Sequence, residues 1–265
     1  MSNQAVEKSA LARNFSDAAK HYDAWATAQA EIASGLALRM DRREPALMVD
    51  LGCGTGLLSV LLLERYPKAS LVGLDLAEGM VEACRKRWNG LDRARFVAGD
   101  VEDPACLVRG ADLVACSCVA QWFGNPIGTM RMWAEALAPG GILACAFLIQ
   151  GSFFELESAY HHALQARFQG LRLWKAETAH DIGKAAGLRV LHCEEESILA
   201  GYDSARAALR SYKHIGAVFQ GQPGHRPLGP AQMRRLLACY EQQADSQGRV
   251  TVTHRVQYFI AEKPR

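Results

Sequence analysis

From Pro45 onward the chain repeats one alternation: a short apolar run, then a stretch with helical spacing. The apolar runs fall at residues 46–51, 70–76, 94–99, 111–119 and 141–149. They stay apolar instead of alternating with polar residues, as strands covered on both faces do. Residues 57–66, rich in leucine, separate the first two runs. Met80, Cys84 and Trp88 recur every fourth residue before the third run. Met130, Ala134 and Leu137 precede the fifth, and Pro139-Gly140-Gly141 is expected to end that helix. Strands alternating with helices imply βαβ units, a parallel sheet and a Rossmann-like α/β fold with helices on both faces.

The flanking regions read differently. Residues 1–44 form an N-terminal helical segment with Leu11, Phe15, Tyr22 and Trp25 on one face. Asp23 can cap a second helix there, carrying Ile32 and Leu36. After the 45–150 core, residues 152–168, 176–186, 203–219 and 230–247 have helical character. Gly187 opens a strand over 188–199, and a proline- and glycine-rich loop covers 221–229. In the last segment Val250, Val252, His254, Val256, Tyr258 and Ile260 share one face, as in a final strand antiparallel to 188–199. The expected organisation is one domain over 1–265. Its helical insertions at 151–187 and 200–249 form a substrate lid, and 250–265 holds the final strand.

Composition narrows the function. A formal net charge of +2 is too small to argue by itself for nucleic-acid or membrane binding. No run of about 18 apolar residues occurs, and Ser2-Asn3-Gln4 does not open a signal peptide. The eight cysteines are irregularly spaced without a CxxC pair, so no metal site is expected. Buried, reduced thiols in a cytoplasmic protein are expected instead.

The sharpest signal is Val49-Asp50-Leu51-Gly52-Cys53-Gly54-Thr55-Gly56, placed between a strand and a helix. Glycines there permit positive φ and close approach of a ligand to the backbone. Dinucleotide enzymes use a related loop, but Asp50 would repel a pyrophosphate. It suits a cofactor carrying an ammonium and a sulfonium cation. Gly73-Leu74-Asp75 ends the next strand, 19 residues after Gly56, where a carboxylate can accept hydrogen bonds from ribose hydroxyls. Each aspartate has a plainer reading: Asp50 capping its turn, and Asp75 capping the helix that starts near Ala77. Asp100 follows the third strand and can accept from an adenine amino group, with the Val101 backbone at the ring edge, or serve as a turn aspartate. Cys116, Ser117 and Cys118 end the fourth strand, bordering the crevice where ligands of open α/β sheets bind.

In order and spacing, residues 50–56, 73–75, 99–100 and 111–119 resemble class I S-adenosylmethionine-dependent methyltransferases. The resemblance implies a seven-stranded, mostly parallel sheet whose last strand is antiparallel, and S-adenosyl-L-methionine as cofactor. The cofactor-binding set is then Tyr22, Asp50, Gly52, Cys53, Gly54, Gly56, Asp75, Leu76, Asp100, Val101, Cys116 and Ser117. A narrower resemblance, to the malonyl-acyl-carrier-protein O-methyltransferases of biotin biosynthesis, rests on four segments. They are residues 14–23, Gln121-Trp122-Phe123-Gly124-Asn125, 148–152 with Glu155-Leu156, and 209–217. Cys116-Ser117 and Leu173-Trp174 depart from that family's usual residues.

The narrower resemblance implies methyl transfer to the free carboxylate of a malonyl thioester on acyl carrier protein, or on coenzyme A. The carrier is an acidic protein bearing a phosphopantetheine arm. A carboxylate with a pKa of about 4 is already ionised at neutral pH, so no general base is required. Candidates to line the substrate end or hold its carboxylate are Gln121, Trp122, Arg172, Arg210 and Lys213. The basic residues can equally be solvated helix charges, and Tyr22 and Trp122 can equally be packing residues. Arg206, Arg210, Lys213, Arg234 and Arg235 can form a docking patch for the carrier. Three rivals stand: a methyltransferase for another small acid or a quinone precursor, a non-catalytic cofactor-binding regulator, and an NAD-dependent oxidoreductase, which Asp50 argues against. Adenine-N6 methylation of nucleic acid is disfavoured, because Ser117-Cys118-Val119-Ala120 replaces the Asn/Asp-Pro-Pro-aromatic motif of such enzymes.

Overall fold

In the computed structural model, residues 8–40, 43–166, 168, 170, 173–214 and 228–265 are described, with side chains omitted at 212–214. Three helices come first: α1 (Lys8–Ala18), α2 (Tyr22–Trp25) and α3 (Thr27–Arg39). The core then runs β1 (Leu47–Leu51), α4 (Leu57–Arg65), β2 (Ser70–Asp75), α5 (Glu78–Arg87), β3 (Ala94–Ala98) and β4 (Ala111–Ser117). After a 3-10 turn (Ala120–Trp122) come α6 (Pro126–Ala136), β5 (Leu137–Leu148), α7 (Phe154–Leu164) and α8 (Ala176–Ala185). The chain closes with β6 (Arg189–Tyr202), α9 (Ala205–His214), α10 (Pro230–Glu241) and β7 (Val250–Glu262).

The seven strands lie in the order β3-β2-β1-β4-β5-β7-β6. β1 to β5 pair in parallel, while β7 runs antiparallel to both β5 and β6. Two apolar cores flank the sheet. One joins α3, α4, α5, α7, α9 and α10 around Ile32, Leu62, Val81 and Tyr258. The other joins α6 and α8 around Trp133, Phe147 and Ile182. This two-sided cover explains why β1, β4 and β5 carry apolar residues at consecutive positions.

Several boundaries differ from the sequence expectation. Leu137 does not continue α6; its backbone is extended and it is the first residue of β5. Pro139-Gly140-Gly141 therefore sits inside a strand, in an irregular stretch where pairing jumps from Ala111↔Leu137 to Leu113↔Ile142. Gly140 takes φ 78 in this irregular stretch. α7 and α10 end earlier, at Leu164 and Glu241. Both faces of β7 are covered, so Thr253, Gln257 and Phe259 are buried along with the expected Val252, His254 and Val256. All eight cysteines are free thiols, but Cys193 on β6 is exposed, against the expectation of uniform burial. No described helix is long and apolar enough to cross a membrane.

Candidate functional site

The strand order reverses between β1 and β4, and a crevice opens where their carboxyl ends diverge. A cavity of about 730 Å³, counted to its open mouth, lies at this switch point. The strand ends supply Gly52, Gly54, Asp75, Leu76, Asp100 and Val101 to its lining. Ser117, Cys118 and Val119 follow from β4. Lys8, Leu11 and Phe15 come from α1, Tyr22 from α2, and Trp122 and Phe123 from the turn after β4. A second hollow of about 360 Å³ holds Asp50, Cys53, Thr55 and Gln29. Tyr22, Gly52, Gly54, Ser117 and Cys118 line both spaces.

The glycine loop is pinned by its own backbone. The Gly52 and Cys53 N–H groups both donate to the Leu74 carbonyl, at 2.7 and 3.0 Å. Gly52 has φ 72, and a Cβ there would lie 2.3 Å from Val119 Cγ2. No side chain fits that turn. Gly54 has φ 54 and faces open space, so the backbone itself is presented to the cavities.

One buried and one half-buried carboxyl define the electrostatics. Asp50 is 1% exposed and accepts the Ser59 hydroxyl at 2.6 Å. Burial pushes its carboxyl up to about 7; nearby Asp75 adds to the rise, and Ser59 opposes it. Asp75 Oδ2 accepts the Gly54 N–H and Oδ1 the Ala77 N–H, each at 2.8 Å. Burial still raises the Asp75 carboxyl above its ordinary value. The helix-capping reading of Asp75 is therefore realised, yet a carboxylate has about four acceptor positions and this one also lines the cavity. Neither hollow offers these aspartates a cation except Lys8, which is engaged elsewhere. A positively charged group would favour the ionised form of both carboxyls.

Asp100 is less open than expected. Its Oδ1 accepts the Glu102 N–H at 2.9 Å, and Lys8 Nζ lies 2.6 Å from Oδ2. Lys8 also meets Glu102 at 2.8 Å. Glu102 further accepts the N–H groups of Gly124 (3.0 Å) and Asn125 (2.9 Å) and the Thr129 hydroxyl (2.8 Å). Burial works against its charge, but Lys8 and these donors hold Glu102 below the usual carboxylate range. Glu102 thus ties α1 to the loop carrying Trp122, whose ring meets Phe15 edge-on at 5.7 Å. α1 buries no residue of its own fully, so these contacts, with its packing on α5 and the Gly79 N–H donated to the Ser16 hydroxyl, hold it in place. Lys8→Met is expected to speed amide hydrogen exchange across α1 several-fold while costing under about 1 kcal/mol of global stability, as a half-exposed ion pair should. Hydrogen exchange read by mass spectrometry checks both.

Of the residues expected at a cofactor site, Tyr22, Asp50, Gly52, Cys53, Gly54, Asp75, Leu76, Asp100, Val101 and Ser117 line one or both spaces. Gly56 does not; it caps α4 at φ 90 against Trp88. Cys116 does not either. It is fully buried in β4 opposite Cys145, and burial, then their mutual hydrogen bond, raises its thiol. Cys118 takes its place, because the chain leaves the strand after Ser117 and turns through φ 58. Burial pushes the Cys118 thiol up to about 12, so it is no nucleophile at neutral pH. Of the substrate-end residues, Trp122 lines the larger cavity. Gln121 instead donates to the Cys118 carbonyl at 2.6 Å. Arg210 is exposed on α9 and lines neither space. Arg172 and the Lys213 side chain lie outside the described residues. Lys8, Gln29 and Glu102 were not legible as site residues. Gln29 had only its place on the N-terminal helices as a signal, and the other two meet across 92 or more residues of chain.

Comparison with known proteins agrees with this geometry. A family described as a methyltransferase domain matches residues 48–141. The chain is 32% identical to the malonyl-[acyl-carrier protein] O-methyltransferase of Hahella chejuensis, over 95% of this chain and 89% of that protein. It is 35% identical to the biotin biosynthesis bifunctional protein BioCD of Bordetella avium, over 96% of this chain and 52% of that one. Among solved structures it is similar to the YcgJ protein of Bacillus subtilis, with TM-score 0.63, 13% identity, and coverage of 89% and 99% of the two chains. A putative methyltransferase of Haloferax volcanii, solved with its Trm112 activator, gives TM-score 0.60 at 18% identity, covering 95% and 98%. At those identities the structural likeness speaks to the fold.

Proposed function

The chain belongs to the malonyl-[acyl-carrier protein] O-methyltransferase family, and on that premise we propose that it methylates the free carboxylate of a malonyl thioester on acyl carrier protein, using S-adenosyl-L-methionine, in biotin biosynthesis. The observation that carries the reading is the buried Asp50 and the half-buried Asp75, lining two joined hollows where Lys8, the one basic residue of the described lining, is already paired with Asp100 and Glu102. A ligand bearing an ammonium and a sulfonium supplies the missing charge. When bound, it offers an activated methyl group, which a carboxylate oxygen takes while the sulfur leaves as a neutral thioether.

The protein's part is placement. Asp50 faces the hollow suited to an amino-acid head, with Gln29 and Tyr22 as neutral donors for that head's carboxylate. Asp75 keeps acceptor capacity for a ribose, and Val101 lines the adenine end. Asp100, paired with Lys8 here, would be the residue to accept from an adenine amino group. Trp122, Phe123 and Phe15 exclude water from the wider cavity. Because the malonyl carboxylate is ionised at neutral pH, alignment of oxygen, carbon and sulfur is the main demand, and positioning can supply as much as about 7–11 kcal/mol. The test is incubation with S-adenosylmethionine and either malonyl- or acetyl-loaded carrier protein, read by intact mass. One added methyl group on the malonyl form alone is expected. Equal labelling of both, or none, would overturn the reading.

A further inference from the structure

Helices α9 and α10 carry mostly positive charge. α9 has no acidic residue, and the sole carboxylate of α10, Glu241, accepts the Ala205 N–H at 2.8 Å. Arg206 and Arg210 stand one turn apart on the exposed side of α9, whose other side buries Ala205, Ala208 and Ser211. Arg234 and Arg235 are exposed on α10, which buries Leu236 and Tyr240. None of these four arginines meets a carboxylate among the described residues. Several surface arginines elsewhere are paired. Arg39 pairs with Glu194 and Glu196, Arg85 with Glu78, Arg87 with Asp23, and Arg255 with Glu195. The whole chain has a formal net charge of only +2, so this concentration does not follow from its overall composition.

The patch is also placed to matter. α9 packs against α2, whose Tyr22 lines both hollows. α10 meets α9 through Glu241 and packs on α7, which follows the carboxyl end of β5. Exposed guanidinium groups without internal partners repel one another, and they match carboxylates in bidentate pairs. We propose that the exposed faces of α9 and α10 are the docking surface for the acidic carrier protein, with Arg206 and Arg210 nearest the cavity. This rests on the proposed substrate. The docked carrier sits beside α2, and its thioester arm enters the cavity past Tyr22.

The test compares two substrates. Arg206→Glu/Arg210→Glu is expected to lower kcat/KM for malonyl-loaded carrier protein at least tenfold, chiefly through KM, and to leave methylation of malonyl-coenzyme A unchanged. Arg234→Glu/Arg235→Glu is expected to act in the same direction. The control Arg131→Glu/Lys184→Glu, on exposed positions of α6 and α8 at the other face, is expected to change neither. The wild-type rate on carrier-bound substrate is expected to fall with salt, and the α9 variant to lose that slope. Unchanged kinetics on the carrier, or an equal loss on both substrates, overturns the docking surface while leaving the reaction standing. A wild-type protein that methylates neither malonyl thioester overturns the reaction itself, and the docking surface with it.

Discussion

S-Adenosylmethionine is expected to bind more tightly as the pH rises from about 6 to about 8, and Asp50→Asn is expected to remove that dependence. Without ligand, burial holds the Asp50 carboxyl near about 7, with Asp75 contributing. A cationic head beside it favours the ionised form, so binding at pH 6 must release a proton and grows easier as the pH climbs. Above about pH 8 the ligand's own α-amino group begins to lose its charge, and the gain levels off. At pH 8 the asparagine variant is expected to bind ten- to a hundredfold more weakly, the loss of one charge-assisted contact worth about 1.5–3 kcal/mol. Titration calorimetry in buffers of different ionisation heat reads both the affinity and the proton. A dissociation constant independent of pH, with no proton released, would sink the argument. The same shift acts on folding. The unfolded carboxyl ionises near 3.8 while the folded one keeps its proton to about 7, so the unliganded protein loses stability as pH rises between those values. Asparagine accepts the Ser59 hydroxyl without that penalty, so the variant is expected to be at least as stable at pH 8.

Trp133→Ala is expected to cost about 3–5 kcal/mol. Trp133 is fully buried on α6, between the helix and the sheet. Its indole N–H donates to the Val101 carbonyl at 2.9 Å, and its ring meets Phe123 edge-on at 5.2 Å. Both neighbours line the larger cavity. Trp133→Phe keeps most of the volume and leaves the Val101 carbonyl without its donor, at a cost of about 1–3 kcal/mol. Urea unfolding is expected to rank the variants wild type, phenylalanine, alanine. Cofactor affinity of the phenylalanine variant is expected to fall a few-fold, because Val101 loses its anchor. An alanine variant as stable as the wild type would show that α6 is not held from this position.

Much of the fold was legible because covered parallel strands announce themselves locally. The runs behind β1, β2 and β3, and the helices between them, needed only apolar continuity and a four-residue recurrence. Where local rules collide, reading fails. Leu137 keeps the helical spacing of Met130 and Ala134 but pairs with Ala111, because the parallel neighbour had already fixed where β5 begins. Cys116 and Cys118 share strand parity, but only the second faces the cavity. The chain leaves the sheet after Ser117, a backbone event with no residue-type signature.

The sequence by itself determined the sheet's class, the glycine turn and the carboxylates at the strand ends. Each depends on residues a few positions apart, and each is forced by backbone sterics or burial. Only the tertiary structure decided what closes over them. It brought Lys8 to Asp100 and Gln29 to the Asp50 hollow, and it left Arg210 on the surface. Those choices depend on how amphipathic helices with several acceptable neighbours pack onto a finished sheet. That packing energy is summed over contacts far apart in the chain, and no local pattern encodes it.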